Sequence, residues 1–161
     1  MEIIKQVVGI DVSKDTLAVS YGTVNLNQEH QITKPITVDN NQKGFKELIS
    51  FAKKNKATSK APLYFVMEAT GVYYENLAYF LTEKHQKVIV VLPNKTKNFS
   101  KTLDIKSKTD NLDAQMITQF ALERQMQLWQ LPSPVMKALK ALSREHQSIK
   151  SMEQGKENKR I

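Results

Sequence analysis

The sequence predicts an α/β fold in which a mixed β-sheet carries helices on both of its faces. Three strand-like segments follow one another within the first 38 residues, which is typical of an antiparallel meander. Helical and strand patterns then alternate, which is typical of parallel strands joined by helices. A run at 62–68 is apolar up to its last residue, Glu68, as a central strand covered on both faces would be. The 161 residues, 40% of them hydrophobic, suit one domain with room for an extension.

The first three strands are predicted from residue type and alternation. Residues 3–12 are rich in Val and Ile and predict a buried first strand, and residues 16–22 predict a second strand paired with it as a hairpin. Residues 31–38 alternate and predict a third strand. Pro35 lies within it and has no backbone N–H to donate, so this strand should lie at an edge of the sheet.

The alternating part begins at Asn40 and Asn41, which are candidate N-caps of a helix. In order, the pattern predicts a helix with Phe45, Leu48, Ile49 and Ala52 on one face, a polar linker at 53–62, a strand at 62–68, a helix from about Tyr73 to His85 that buries Tyr74, Leu77, Ala78 and Leu81, and a strand at 87–93. Each strand is short and each helix is amphipathic, as the predicted fold requires.

The last part of the chain combines a basic connection with two helices. Residues 94–109 show no clear periodicity, and a helix is predicted from about Asp110 to Met126 with Thr109 as its N-cap. Another helix is predicted from Pro134, with a heptad seam at Val135, Leu139, Leu142, His146 and Ile149. We therefore expect a domain at 1–130, the start of a coiled-coil helix at 131–161, and a homo-oligomer formed through that helix.

Four acids stand at the ends of predicted elements: Asp11, Glu68, Asp110 and Asp113. The element order is that of the ribonuclease H-like fold, in which acids lie on the first strand, at the end of the fourth strand and on the final helix. Two unit charges about 4 Å apart repel by about 4 kcal/mol at an effective dielectric of about 20, so such a cluster needs cations or protons. Carboxylate oxygens suit Mg²⁺ or Mn²⁺, and two such ions support phosphodiester hydrolysis and strand transfer. We expect all four acids to be metal-binding and catalytic.

Positive charge indicates a nucleic-acid partner. The net charge is +8, and residues 93–161 contribute 13 basic and 7 acidic groups, against 11 and 9 in residues 1–92. The predicted phosphate-binding residues are the lysines of the basic connection: Lys95, Lys97, Lys101, Lys106 and Lys108. Phe99 lies among them; packing is the more common role of Phe, and stacking on a base is the alternative.

The segments GIDVSKDTLAVS, VMEATGVYY, VVLPNKTKNFSK and KTDNLDAQMI resemble the amino-terminal RuvC-like DEDD domain of bridge-RNA-guided insertion-sequence transposases. The resemblance covers about residues 5–150. It implies that Asp11, Glu68, Asp110 and Asp113 hold the metal ions, that DNA and a guide (bridge) RNA are partners, and that the helix from Pro134 begins a coiled coil. Family members continue into a domain with a serine nucleophile. We expect this chain to lack that domain and to bind metal and nucleic acid without completing recombination alone.

Other functions are weighed against this one. A sugar-kinase or actin-like ATPase would need a second lobe and glycine-rich phosphate loops, and the chain has five glycines. A DEDD exonuclease would carry an acid where Ser13 stands. A stand-alone Holliday-junction resolvase shares the four-acid layout, and a non-catalytic dimerisation and nucleic-acid-binding module is a further alternative. The chain has no cysteine, and its longest apolar stretch, VIVVL, is too short to cross a bilayer, so a soluble cytoplasmic protein is expected.

Overall fold

The computed structural model describes residues 2–102 and 112–130 of the chain. Within these residues the secondary structure is β1 Ile3–Val12, β2 Thr16–Asn25, β3 His30–Ile32, β4 Ile36–Asp39, α1 Gln42–Asn55, β5 Leu63–Glu68, α2 Glu75–Glu83, β6 Lys87–Val91, α3 Pro93–Thr102 and α4 Ala114–Glu123. The segment from Met1 to Trp129 forms one compact unit. The predicted coiled-coil helix and its domain boundary at residue 131 lie outside the described residues and stay predictions.

The strands form one mixed sheet in the order β3-β2-β1-β5-β6, with β4 also paired to β2. β1 and β2 are antiparallel, whereas β5 is parallel to β1 and β6 is parallel to β5. The predicted central position of the strand at 62–68 is therefore confirmed, because β5 lies between β1 and β6. The predicted mixed sheet is confirmed as well, because antiparallel strands precede the parallel strands along the chain.

The predicted third strand is wrong in one respect, because two short strands, β3 and β4, stand in its place. They pair with opposite ends of β2, at Gly22–Val24 and at Thr16–Val19. Between them the Thr33 hydroxyl accepts a hydrogen bond of 3.0 Å from the backbone N–H of Tyr21. The Thr33 N–H also donates a hydrogen bond of 2.8 Å to the Tyr21 carbonyl, so backbone and side chain together hold this segment to β2 just before Pro35, which has no N–H to donate.

Helices cover both faces of the sheet, as predicted. Along β1, Val8 and Ile10 contribute to the core beneath α1 and α2, whereas Val7 contributes to the core beneath α3 and α4. This alternation is the period of two that a strand imposes on its side chains. Two apolar cores result, and the sheet separates them.

The helix α1 agrees with the sequence except at its end. Asn41 is the N-cap, and its side-chain oxygen accepts a hydrogen bond of 2.9 Å from the Gly44 N–H. Of the four predicted core residues, Phe45, Leu48 and Ala52 are buried and Ile49 is half-buried. The helix continues to Asn55, into the predicted linker, because lysine is a good helix former and is favoured in a last turn.

One prediction after β6 is wrong, and Phe99 takes the more common of its two expected roles, packing. The basic segment predicted to be irregular forms α3, with Pro93 at its first position, where the missing N–H costs nothing. Phe99 is only 2% exposed and packs edge-on against Phe120 with ring centroids 5.2 Å apart. The amphipathic pattern was missed because it rests on Phe99 and Thr96, a buried polar residue three positions earlier.

The helix α4 starts later than predicted. It begins at Ala114, and Asp113 is its N-cap instead of a member of its first turn. Thr109 and Asp110 lie outside the described residues. After α4 the chain reaches the edge of the sheet, where the Trp129 N–H donates a hydrogen bond of 2.7 Å to the Val88 carbonyl. In the described ranges, no helix is long and apolar enough to cross a membrane.

Candidate active site

Asp11 and Glu68 lie side by side at the carboxyl ends of two neighbouring parallel strands. The register pairs Ile10 with Met67, so Asp11 and Glu68 occupy the next position along β1 and β5. Both side chains lie on the sheet face that is covered by α3 and α4. Val7, four residues before Asp11, and Val66, two residues before Glu68, both contribute to the core on that face. Two of the four predicted acids are therefore brought together by the register.

Glu68 is almost completely enclosed, with 6% of its surface exposed. The Leu112 N–H donates a hydrogen bond of 3.2 Å to Oε1, and the Thr96 hydroxyl lies 3.0 Å from Oε2. That hydroxyl is also 3.0 Å from the Pro93 carbonyl, and its single proton can be donated to one of the two at a time. Burial raises the pKa of Glu68, the two hydrogen bonds oppose this, and the charge of Asp11 raises it further.

Asp11 is half-buried and interacts with two other acids, Asp113 and Glu68. Burial raises the pKa of Asp11, and the charge of Asp113 raises it further. Asp113 itself is exposed, and its Oδ1 accepts a hydrogen bond of 2.9 Å from the Met116 N–H at the start of α4. Asp11 is thus the acid that interacts electrostatically with each of the other two.

A close approach of α4 to the sheet places Asp113 beside Asp11. A methyl group added to Gly9 would come within 2.1 Å of the Thr118 hydroxyl oxygen and 2.7 Å of the Ala114 carbonyl oxygen. Gly9 precedes Asp11 by two residues and faces the same side of β1, so the missing side chain lets the helix rest on the strand. The position of Asp113 therefore depends on glycine at this point in β1.

These acids suit a hard divalent cation, since carboxylate oxygens are the donors that Mg²⁺ and Mn²⁺ prefer. A bound cation would also relieve the repulsion that raises the pKa of Asp11 and of Glu68. Across residues 2–102 and 112–130, however, no three His, Asp or Glu side chains are grouped so that they could hold a metal ion as they stand. Asp110, the fourth predicted ligand, is outside these ranges, so the four-acid set remains a prediction.

The predicted lysines are only partly described. Lys95 is exposed on α3, next to the Glu68 partner Thr96, and Lys97 and Lys101 belong to the same helix. Lys106 and Lys108 lie in the undescribed segment 103–111. The site residue that the sequence did not reveal is Thr96, because a threonine in a lysine-rich segment carries no signal of a buried contact to an acid that lies 28 residues earlier.

Comparison with known proteins shows which family the chain matches. The family model DEDD_Tnp_IS110, described as "Transposase", matches residues 8–160. Two curated relatives, the pilin gene-inverting proteins of Moraxella lacunata and Moraxella bovis, are each 33% identical over 144 residues, covering 88% of this chain and 42% of the relative. The chain thus spans less than half of their length. The RuvC structure of Thermus thermophilus is 12% identical with a TM-score of 0.47, covering 77% of this chain and 99% of RuvC.

Proposed function

Because the chain belongs to the DEDD_Tnp_IS110 transposase family, we propose that it forms the part of a transposase that cleaves and exchanges DNA strands in a metal-dependent reaction. The observation that carries this proposal is the placement of Asp11 and Glu68 on adjacent parallel strands, on one sheet face, with Asp113 close enough to raise the pKa of Asp11. Acids at the carboxyl ends of neighbouring strands converge on one place, where a phosphate could be bound through cations.

We assign Asp11, Glu68, Asp113 and Asp110 as ligands of two Mg²⁺ or Mn²⁺ ions. Such ions would activate the attacking oxygen and stabilise the leaving oxygen of the phosphodiester. The Thr96 hydroxyl and the Leu112 N–H hold the carboxylate of Glu68 in its orientation. Asp11 has part of its surface open, so an ion can reach its carboxylate. Asp113 contributes negative charge from the first residue before α4.

The lysines of α3 and of the segment after it are proposed to hold the phosphate backbone of the DNA. Lys95, Lys97, Lys101, Lys106 and Lys108 carry their charges on the part of the chain that contains the Glu68 partner Thr96 and leads to Asp110. Lysine attracts phosphate without reading sequence. The choice of DNA target is therefore assigned to another partner, a guide (bridge) RNA. We further propose that the helix predicted from Pro134 mediates homo-oligomerisation and that the protein acts in the cytoplasm.

The experiment that tests the proposal measures DNA binding and cleavage with Mg²⁺, Mn²⁺ or a chelator. Wild type is compared with Asp11→Asn and with the matched control Asp15→Asn, an exposed acid four residues further on. Metal should strengthen binding of linear and branched DNA by at least about tenfold in wild type and in the control, because without cations the acids repel phosphate. Equal metal dependence in Asp11→Asn would contradict the proposal, and efficient cutting of four-way junctions by the chain alone would favour a resolvase.

A further inference from the structure

We propose that the solvent-facing side of α1 binds a single strand of nucleic acid, at a surface separate from the acid site. This surface is a groove of about 750 Å³ between α1 and β4. Its lining includes Ile36, Lys43, Lys46, Glu47, Phe51 and Lys54. We call it the α1 groove. The inference does not depend on cleavage, so it goes beyond the function proposed for the acids.

Positive charge is concentrated around this groove. Residues 42–60 contain six lysines and one acid, Glu47, a net charge of +5 in a chain whose total is +8. The other residues among the first 92 carry more acidic than basic groups. The net charge of residues 1–92 as a whole is therefore small, and it does not reveal the lysine cluster. Lys43, Lys46 and Lys54 line the groove and are all exposed, so a polyanion can reach them.

The groove lies away from the acid site. α1 packs on the core that contains Val8 and Ile10, whereas the acids share the opposite face of the sheet with α3 and α4. Lys43 and Lys54 are eleven residues apart on one helix, which corresponds to about 16 Å along its axis. A strand of nucleic acid following this track would meet several lysines without entering the acid site.

The floor of the groove favours a single strand over a duplex. Ile36 is 38% exposed and Phe51 is half-buried, so apolar surface lies between the lysines. In a duplex the bases are stacked inside and only phosphate and sugar would face this floor. An unpaired strand can place its phosphates on the lysines and its bases against the apolar side chains, which is how sequence-tolerant single-strand sites work.

The test is a salt titration of binding with the 161-residue chain and a labelled single-stranded oligonucleotide. Lys46→Ala/Lys54→Ala removes two groove charges at helical positions where alanine is well tolerated. Lys84→Ala/Lys87→Ala removes two exposed charges elsewhere and is the matched control. The slope of log affinity against log salt should become shallower by about 1.4 in the groove variant, which is the value for two phosphate contacts of a single strand.

In the control variant the slope should stay as in wild type. An equal change in both variants would mean that only net charge matters, and no change in the groove variant would mean that the lysines do not contact the strand; either result overturns the proposal. Binding of Mn²⁺ should be unaffected by both pairs. Failure of the α1 groove is thereby distinguished from failure of the acid site.

A second variant tests the strand type and the class of partner. Ile36→Thr keeps a residue suited to an edge strand but removes apolar surface, so it should weaken single-strand binding and leave duplex binding unchanged. Equal weakening of both would overturn the single-strand assignment. A polyglutamate peptide of matched charge should compete poorly, because it has no bases to place on Ile36 and Phe51. Equal competition would assign the groove to acidic proteins and overturn the proposal.

Discussion

Gly9→Ala tests the link between helix packing and the acid site. The added methyl group would meet Thr118 Oγ1 at 2.1 Å, the Ala114 carbonyl oxygen at 2.7 Å and the Thr118 backbone nitrogen at 2.7 Å. Two of these three atoms belong to the backbone of α4, so a side-chain rotation cannot relieve the overlap. The helix must move away from β1 and take Asp113 away from Asp11.

The expected loss of stability follows from the cost of overpacking. Extra methyl groups in a well-packed core cost about 1–3 kcal/mol, and the backbone contacts at Gly9 place this substitution near the upper value. For a chain of this size, 1 kcal/mol lowers the Tm by about 2–4 °C, so a decrease of about 6–12 °C is expected. The affinity for Mn²⁺ should fall as well, because Asp113 no longer lies beside Asp11.

Gly22→Ala is the matched control. A methyl group there would meet Thr118 Cγ2 at 2.5 Å, with Leu122 Cδ1 at 3.1 Å and Ile32 Cγ1 at 3.2 Å, and all three are side-chain atoms. Thr118→Ala removes the closest of them, so it should restore most of the stability that Gly22→Ala loses. It should not rescue Gly9→Ala, since the overlap with the backbone of α4 remains.

Thermal unfolding of the single and double variants, with and without Mn²⁺, measures both effects in one assay. The coupling energy between the substitutions should be large for Gly22→Ala with Thr118→Ala and small for Gly9→Ala with Thr118→Ala. If Gly9→Ala changed the Tm by less than about 1 °C and left Mn²⁺ stabilisation intact, the reasoning about helix placement would be refuted.

Three further substitutions are predicted from single contacts. Burial and the charge of Asp113 raise the pKa of Asp11 above its ordinary 3.8. The free energy of unfolding of the metal-free chain therefore falls as the pH rises from about 3.8 through the raised pKa of Asp11. Asp11→Asn should therefore raise the Tm in chelator at pH 7, and the gain should disappear below about pH 3.8, where the carboxyl is protonated in both states. Thr96→Val should cost about 1–3 kcal/mol in denaturant titrations by removing a hydrogen bond from the buried Glu68 carboxyl, whereas Thr96→Ser should retain it. Asn41→Ala should cost about 1 kcal/mol by removing the cap of α1, and Asn41→Asp should not.

The sheet and two of the acids could be predicted because strong local signals specify them. An acid directly after VVGI or LYFVM ends an apolar strand, so Asp11 and Glu68 were identified from their own neighbours in the sequence. The structure then shows that the two strands are adjacent and parallel, which brings the two acids side by side. Strand periodicity and element order therefore carry the central part of the site.

Other features depend on contacts that a single segment does not reveal. Phe99 lies among lysines, and only the packing of α3 against α4 makes it a core residue. Asp113 is a first-turn acid by sequence and an N-cap by structure, because its side chain accepts a hydrogen bond from the Met116 N–H and α4 begins only at Ala114. The lysines of α1 were divided between a helix and a predicted linker, so their common groove was not visible.

Mn²⁺ binding by isothermal titration, with wild type, Asp11→Asn and Asp15→Asn at pH 7, tests the central claim most directly. Asp11 interacts with both Glu68 and Asp113, whereas Asp15 is an exposed acid of the adjacent turn. We predict saturable binding in wild type and in Asp15→Asn, and a loss of at least about tenfold in affinity for Asp11→Asn, as expected when a ligand is removed. Equal affinities for the three proteins would contradict a metal site at these strand ends.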